Sequence, residues 1–116
     1  MCKLNNQRFK YKNYERMVEY NYMVDFRLPN ILSEEFMDLV PFQRIAVNKL
    51  IEEGKIVSYA LSLENSRLWG VFSANSELGV MDILSDLPLT PFMKVEISLL
   101  TFFNDTKTQV PKFSLN

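Results

Sequence analysis

Asp25 and Arg27 stand two residues apart in the run Val-Glu-Tyr-Asn-Tyr-Met-Val-Asp-Phe-Arg from Val18 to Arg27. A two-residue spacing is the repeat of a β-strand, so this pair shares one face with Glu19, Asn21 and Met23. Val18, Tyr20, Tyr22, Val24 and Phe26 take the other face. A carboxylate beside a guanidinium can move a proton on an anionic substrate. Asp25 is the candidate proton acceptor, and Arg27 offers two parallel donors to a substrate carboxylate. Asn21 adds a side-chain amide to the same face. The plain alternative is an Asp25–Arg27 ion pair at a solvated edge, since structural pairs also populate clefts. Glu96 is the second candidate acid and shares a strand face with Lys94 and Ser98. Its alternative is a surface salt bridge to Arg67 or Lys94, worth little when exposed. Trp69 and Tyr59 lie on neighbouring predicted strands and could sandwich a flat ligand, or could be core or interface rings. Ser58 and Ser98 are candidate hydroxyl contacts to a substrate. No base partner marks any serine as a nucleophile.

What the composition lacks narrows the chemistry. The 116 residues contain no histidine, which excludes imidazole acid–base catalysis, His-paired nucleophiles and every His-containing metal site. The one cysteine, Cys2, has no internal disulfide partner. No carboxylate spacing resembles a calcium loop and no glycine-rich phosphate loop is present. No metal and no cofactor is therefore expected. An apolar fraction of 47% with 23% charge is that of a soluble globular domain, expected in the cytoplasm. No uncharged apolar run approaches the ~20 residues of a membrane helix.

The charge is unevenly placed. Residues 1–16 hold five bases against one acid, a net +4, and the remaining hundred residues carry a net −5. Phe9, Tyr11 and Tyr14 interleave with the N-terminal cations, a pattern that can bind nucleic acid through phosphates and stacked bases. The acidic body behind it disfavours that partner, so the segment reads as a basic extension. No apolar run follows its charges, unlike a signal peptide. The expected organisation is an extension over 1–16, a domain over 17–103 and a polar tail over 104–116.

Four strands and two helices must position these side chains. Alternation predicts strands over 18–27, 55–63, 67–74 and 94–103, with Glu64-Asn65-Ser66 turning the middle two into a hairpin. Ser33 followed by Glu34 and Glu35 predicts a helix start, and Gly54 predicts its end. Pro41 inside this helix predicts a kink or a break. A second helix is predicted over 76–87 with Leu78, Met81 and Ile83 or Leu84 inward, weakened at Gly79. The order β-α-β-β-α-β predicts an α+β, ferredoxin-like sheet with strands one and three central and both helices on one face. The other face would expose Ile56, Ala60, Trp69, Val71 and Leu100 beside the polar side of the first strand. A second copy laid sheet to sheet would cover it, so a homodimer is expected, with a mixed polar and apolar cavity inside.

The run Leu87-Pro88-Leu89-Thr90-Pro91-Phe92-Met93-Lys94-Val95-Glu96-Ile97 resembles the LPL-x-P-[YF]-M-x-[IV]-E-[VI] signature of the muconolactone delta-isomerase family. Arg27-Leu28-Pro29 is similar to that family's Lys-Leu-Pro at the end of its first strand. Glu53-Gly54 and Val71-Phe72 resemble its Glu-Gly and Val-Phe. The resemblance spans about residues 18–103. It implies a ferredoxin-like fold assembled as a dimeric α+β barrel or a larger ring, and a proton moved within a lactone that bears a carboxylate. In that family basic residues and histidines cluster on the first two strands. Asn21 and Met23 stand at the positions that resemble a His and a Lys, Lys55–Leu61 replaces the basic run, and Arg27 keeps a cation.

Three functional classes follow as expectations. The first is a proton-transfer isomerase, or binder, of a small organic acid or lactone. The second is a cofactor-free monooxygenase of the α+β-barrel kind. The third is a non-catalytic module that uses the barrel to oligomerise.

Overall fold

Alternating β-formers and well-capped helices settle most of the architecture. A computed structural model describes residues 18–104; the basic extension and most of the polar tail lie outside the described residues. The elements are β1 (Tyr20–Arg27), α1 (Glu34–Glu52), β2 (Ile56–Ser62), β3 (Arg67–Ala74), α2 (Glu77–Ser85) and β4 (Lys94–Leu99), with a 3-10 turn at Thr90–Phe92 before β4. The sheet order is β2-β3-β1-β4, and every neighbouring pair is antiparallel. This is the ferredoxin-like α+β arrangement.

Each helix starts at a serine that stands outside it. Ser33 Oγ accepts the Phe36 N–H at 3.1 Å and Ser76 Oγ accepts the Gly79 N–H at 3.1 Å. Each cap satisfies a donor that the first turn leaves without an intrahelical partner. α1 ends in a Schellman motif. Gly54, at φ 77°, donates to the Ile51 carbonyl at 3.0 Å, and Lys55 donates to the Leu50 carbonyl at 2.9 Å.

Pro41 does not divide α1, which runs unbroken from Glu34 to Glu52. Proline removes one donor, and Pro41 lies on the exposed side, where water can take the orphaned carbonyl. Phe36 before it, and Gln43, Val47 and Leu50 after it, are buried. Both halves are thus pinned to the same layer.

The core lies between the helices and one sheet face. Val24, Phe26, Phe72 and Val80 are fully excluded from water, and Val47, Leu50, Ile83, Leu84 and Leu87 close over them. Each such side chain contributes roughly 1.5–3 kcal/mol relative to exposure. The inner stripe of α2 is Val80, Ile83 and Leu84, while Leu78 and Met81 are exposed. The expected phase was therefore wrong for those two. Gly79 has a packing reason, since a Cβ there would come 3.2 Å from that of Ala74.

Two expectations for the opposite face are also corrected. A bulge between Ile56 and Ser58 inserts one residue in β2 and turns Ile56 into the helix-side core. Val71, on the open face, is only 3% exposed within the single chain. The open face is therefore a narrower apolar surface than alternation alone suggested. β4 ends at Leu99, short of the expected 103, although Leu100 N–H still donates to the Asn21 carbonyl.

Candidate functional site

Cross-strand register decides which polar side chains meet on the helix-free face. Arg27 of β1 stands opposite Arg67 of β3 on one side and Lys94 of β4 on the other. This row places three cations side by side. In the next row Asp25 lies between Trp69 of β3 and Glu96 of β4. In the third, Met23 lies between Val71 and Ser98, and in the fourth Asn21 faces Ser73. Residues directly opposite in such a sheet have Cβ atoms about 4.5–5.5 Å apart. The face therefore presents a cationic row beside a carboxylate pair.

Asp25, Arg27, Arg67, Lys94 and Glu96, with Val95, line one cleft of about 470 Å³, open to solvent. Asp25 and Arg67 form an ion pair at 3.1 Å, each side chain 31% exposed. Asp25 thus pairs across the sheet with Arg67 and not along its own strand with Arg27. Glu96 forms no ion pair with Arg67 or Lys94, and Arg27 and Lys94 form none with any described residue. The cleft holds three positive and two negative side chains, with one pair internally neutralised. Among the described residues this leaves two cations and one carboxylate outside any ion pair, suited to a small anion whose neighbouring carbon is to lose a proton.

The other expected site residues divide between the two faces. Ser98 and Asn21 lie on the face of the cleft, one and two rows beyond the carboxylates, and Ser58 lies farther out on β2 opposite Val71. Trp69 borders Asp25 directly. Tyr59 does not stack with Trp69: it stands opposite Gly70, and Ala60 is the residue opposite Trp69. The Tyr59 side chain goes to the helix side, where its hydroxyl accepts a hydrogen bond from Gln43 Nε2 at 3.2 Å. Burial raises its pKa above the usual phenol value, and the Gln43 contact opposes that rise. The expected ring sandwich is therefore absent, because alternation along β2 puts Tyr59 on the face opposite to Ala60 and Trp69.

Arg67 and Lys94 line the cleft as well, beyond the side chains expected there. Arg67 shares the two-residue alternation of Trp69 and Val71, and Lys94 that of Glu96 and Ser98, so the facial signal was available for both. Their meeting with Arg27 depends on strand register, which alternation does not give. Among the described residues no group of three or more Cys, Asp or Glu side chains is placed to hold a metal ion. No described helix is long and apolar enough to cross a membrane. Residues 18–105 match the family model described as muconolactone delta-isomerase. No curated protein sequence matches the chain.

Proposed function

Because the chain belongs to the muconolactone delta-isomerase family, we propose that its cleft binds a small lactone or unsaturated organic acid through the substrate carboxylate and shifts a proton within it. The observation that carries this reading is the juxtaposition of Arg27, Arg67 and Lys94 with Asp25 and Glu96 around one cleft. Arg27 and Lys94 hold the substrate carboxylate. Glu96, which forms no ion pair among the described residues, takes a proton from the carbon beside the lactone carbonyl. The electron pair left by the broken C–H bond moves into the carbonyl, and the cationic row stabilises the resulting enolate oxygen. The neutral Glu96 carboxyl, whose proton exchanges with solvent, then delivers a proton to a carbon farther along the conjugated system. The double bond moves and Glu96 is regenerated, so no proton, electron or cofactor is consumed. Asp25 acts as a positioning residue, orienting Arg67 through their ion pair.

A second copy of the chain laid over this face completes the reading. The cleft is open in one chain, and Met23, Trp69 and Ala60 place apolar side chains on the same sheet face beside it. Closure by a homodimer would exclude water and strengthen every charge interaction in the cleft. The decisive experiment incubates the protein with carboxylate-bearing lactones in deuterated water and follows proton exchange beside the carbonyl by NMR. Enhanced exchange that is lost in Glu96→Gln supports the proposal. No exchange and no binding at millimolar ligand overturn it.

A further inference from the structure

The helix side of the sheet holds a second concavity that the proton-transfer reading does not use. The close-packed core occupies the half of the layer under the C-terminal part of α1, where Val47 and Leu50 meet Ile83, Leu84 and Leu87. Under the N-terminal part of α1 a groove of about 340 Å³ remains, with Val40, Leu68, Leu89 and Met93 among its walls. Its rim is formed by Leu32, Met37, Leu61 and Leu63, all exposed to solvent. The volume falls at the small end of the roughly 300–1,000 Å³ usual for ligand pockets. Large apolar side chains left at a rim in this way mark a surface that gains by being covered.

Two polar side chains converge in this otherwise apolar groove. Gln43 is 6% exposed; its Oε1 accepts the Leu89 N–H at 3.0 Å and its Nε2 donates to Tyr59 Oη at 3.2 Å. Gln43 therefore holds the Tyr59 hydroxyl as an acceptor. The hydroxyl hydrogen has no acceptor among the described residues, so the group offers one donor to the groove. Burial keeps the phenol protonated through the neutral and mildly basic range. Arg44 is the one charged residue of the lining, and it makes no ion pair among the described residues. Its charge at the mouth disfavours a cationic ligand.

We infer that the groove between α1 and the β2–β3 hairpin is a binding site for a neutral or acidic apolar ring compound carrying one carbonyl-type oxygen, which the Tyr59 hydroxyl receives. The site lies on the opposite side of the sheet from the charged cleft and is independent of the reaction proposed there. Its ligand class differs too, since the walls offer apolar area and a single donor where the cleft offers a cationic row.

The test is a titration of the full chain with 2-acetylnaphthalene and with 2-ethylnaphthalene, which has nearly the same shape and no acceptor, followed by ligand fluorescence. The ketone should bind roughly two- to tenfold more tightly, the range of one net hydrogen bond. In Tyr59→Phe the two probes should bind alike. Val40→Trp, which fills the groove from α1, should abolish binding of both while circular dichroism stays unchanged. Equal binding of the two probes to the native chain overturns the inference, as does a preference that survives Tyr59→Phe. Undiminished binding in a folded Val40→Trp variant places the ligand elsewhere and also overturns it. Displacement of the ketone by a peptide of residues 105–116 would assign the groove to the chain's own C-terminal segment, with the same consequence.

Discussion

Replacing Gly70 with alanine tests the packing that holds the sheet in register beneath both sites. Gly70 sits at the middle of β3, opposite Val24 on β1 and Tyr59 on β2. A Cβ there would lie 2.7 Å from Phe72 Cε1 and 3.3 Å from Tyr59 Cδ1. Carbon atoms rest at about 3.5–4.0 Å, so the Phe72 contact is short by about 1 Å. Phe72 is fully buried against Phe26, with ring centroids 6.2 Å apart, and has no open space to turn into. Overpacking of this kind costs about 1–3 kcal/mol. The gain from removing a strand glycine offsets about 0.5–1 kcal/mol. The net expectation is a loss of about 1–2 kcal/mol, read as a lower urea midpoint with unchanged slope. Tyr59 must shift as well, so the ketone preference of the helix-side groove should fall in the same variant. A Gly70→Ala protein as stable as the parent would refute this account of how Phe72 and Tyr59 are positioned.

Three further perturbations address the helices and the buried phenol. Pro41→Ala restores one intrahelical bond at an exposed position and should stabilise by about 1–2 kcal/mol after the lost unfolded-state restriction is counted, raising Tm by several degrees; no rise would mean that α1 already carries the proline without cost. Ser33→Ala removes the acceptor of the Phe36 N–H and should cost about 1 kcal/mol in urea unfolding, whereas Ser33→Asp should restore most of it. Tyr59 carries a raised pKa through burial, so both states are neutral below pH 10 and the unfolded chain ionises first above it. Stability should therefore decline as pH rises beyond about 10. That decline should be shallower in Tyr59→Phe, and identical pH profiles would show that the hydroxyl is not held in its buried state.

The strands were legible because their alternation is local: the period-two run to Arg27 carries its own evidence, and the observed β1 and β3 follow it closely. The caps of α1 were legible for the same reason, since Ser33 and Gly54 act through neighbours a few residues away. The phase of α2 was not. Leu78, Val80, Met81, Ile83 and Leu84 place apolar side chains around most of that helix, and only the sheet beneath it selects which are buried. The side of Ile56 depended on a bulge, which inserts a residue without leaving a composition signal. Within the candidate site, the shared face of Asn21, Asp25 and Arg27 followed from sequence. The partner of Asp25 did not, because Arg67 reaches it through a pairing 42 positions apart in the chain. Register also explains why Lys94 completes the cationic row although no local motif marks it.

Glu96, beside the cationic row, is proposed to move a proton on a bound carboxylate substrate. This is tested most directly by comparing native protein and Glu96→Gln for deuterium incorporation into a carboxylate-bearing lactone, with ligand affinity measured in the same samples. The substitution keeps the side chain's shape and removes its capacity to accept a proton. Exchange should fall by about 100-fold or more in Glu96→Gln, at the scale of general-base catalysis, with affinity retained by Arg27 and Lys94. Equal exchange in the two proteins would contradict the proposal.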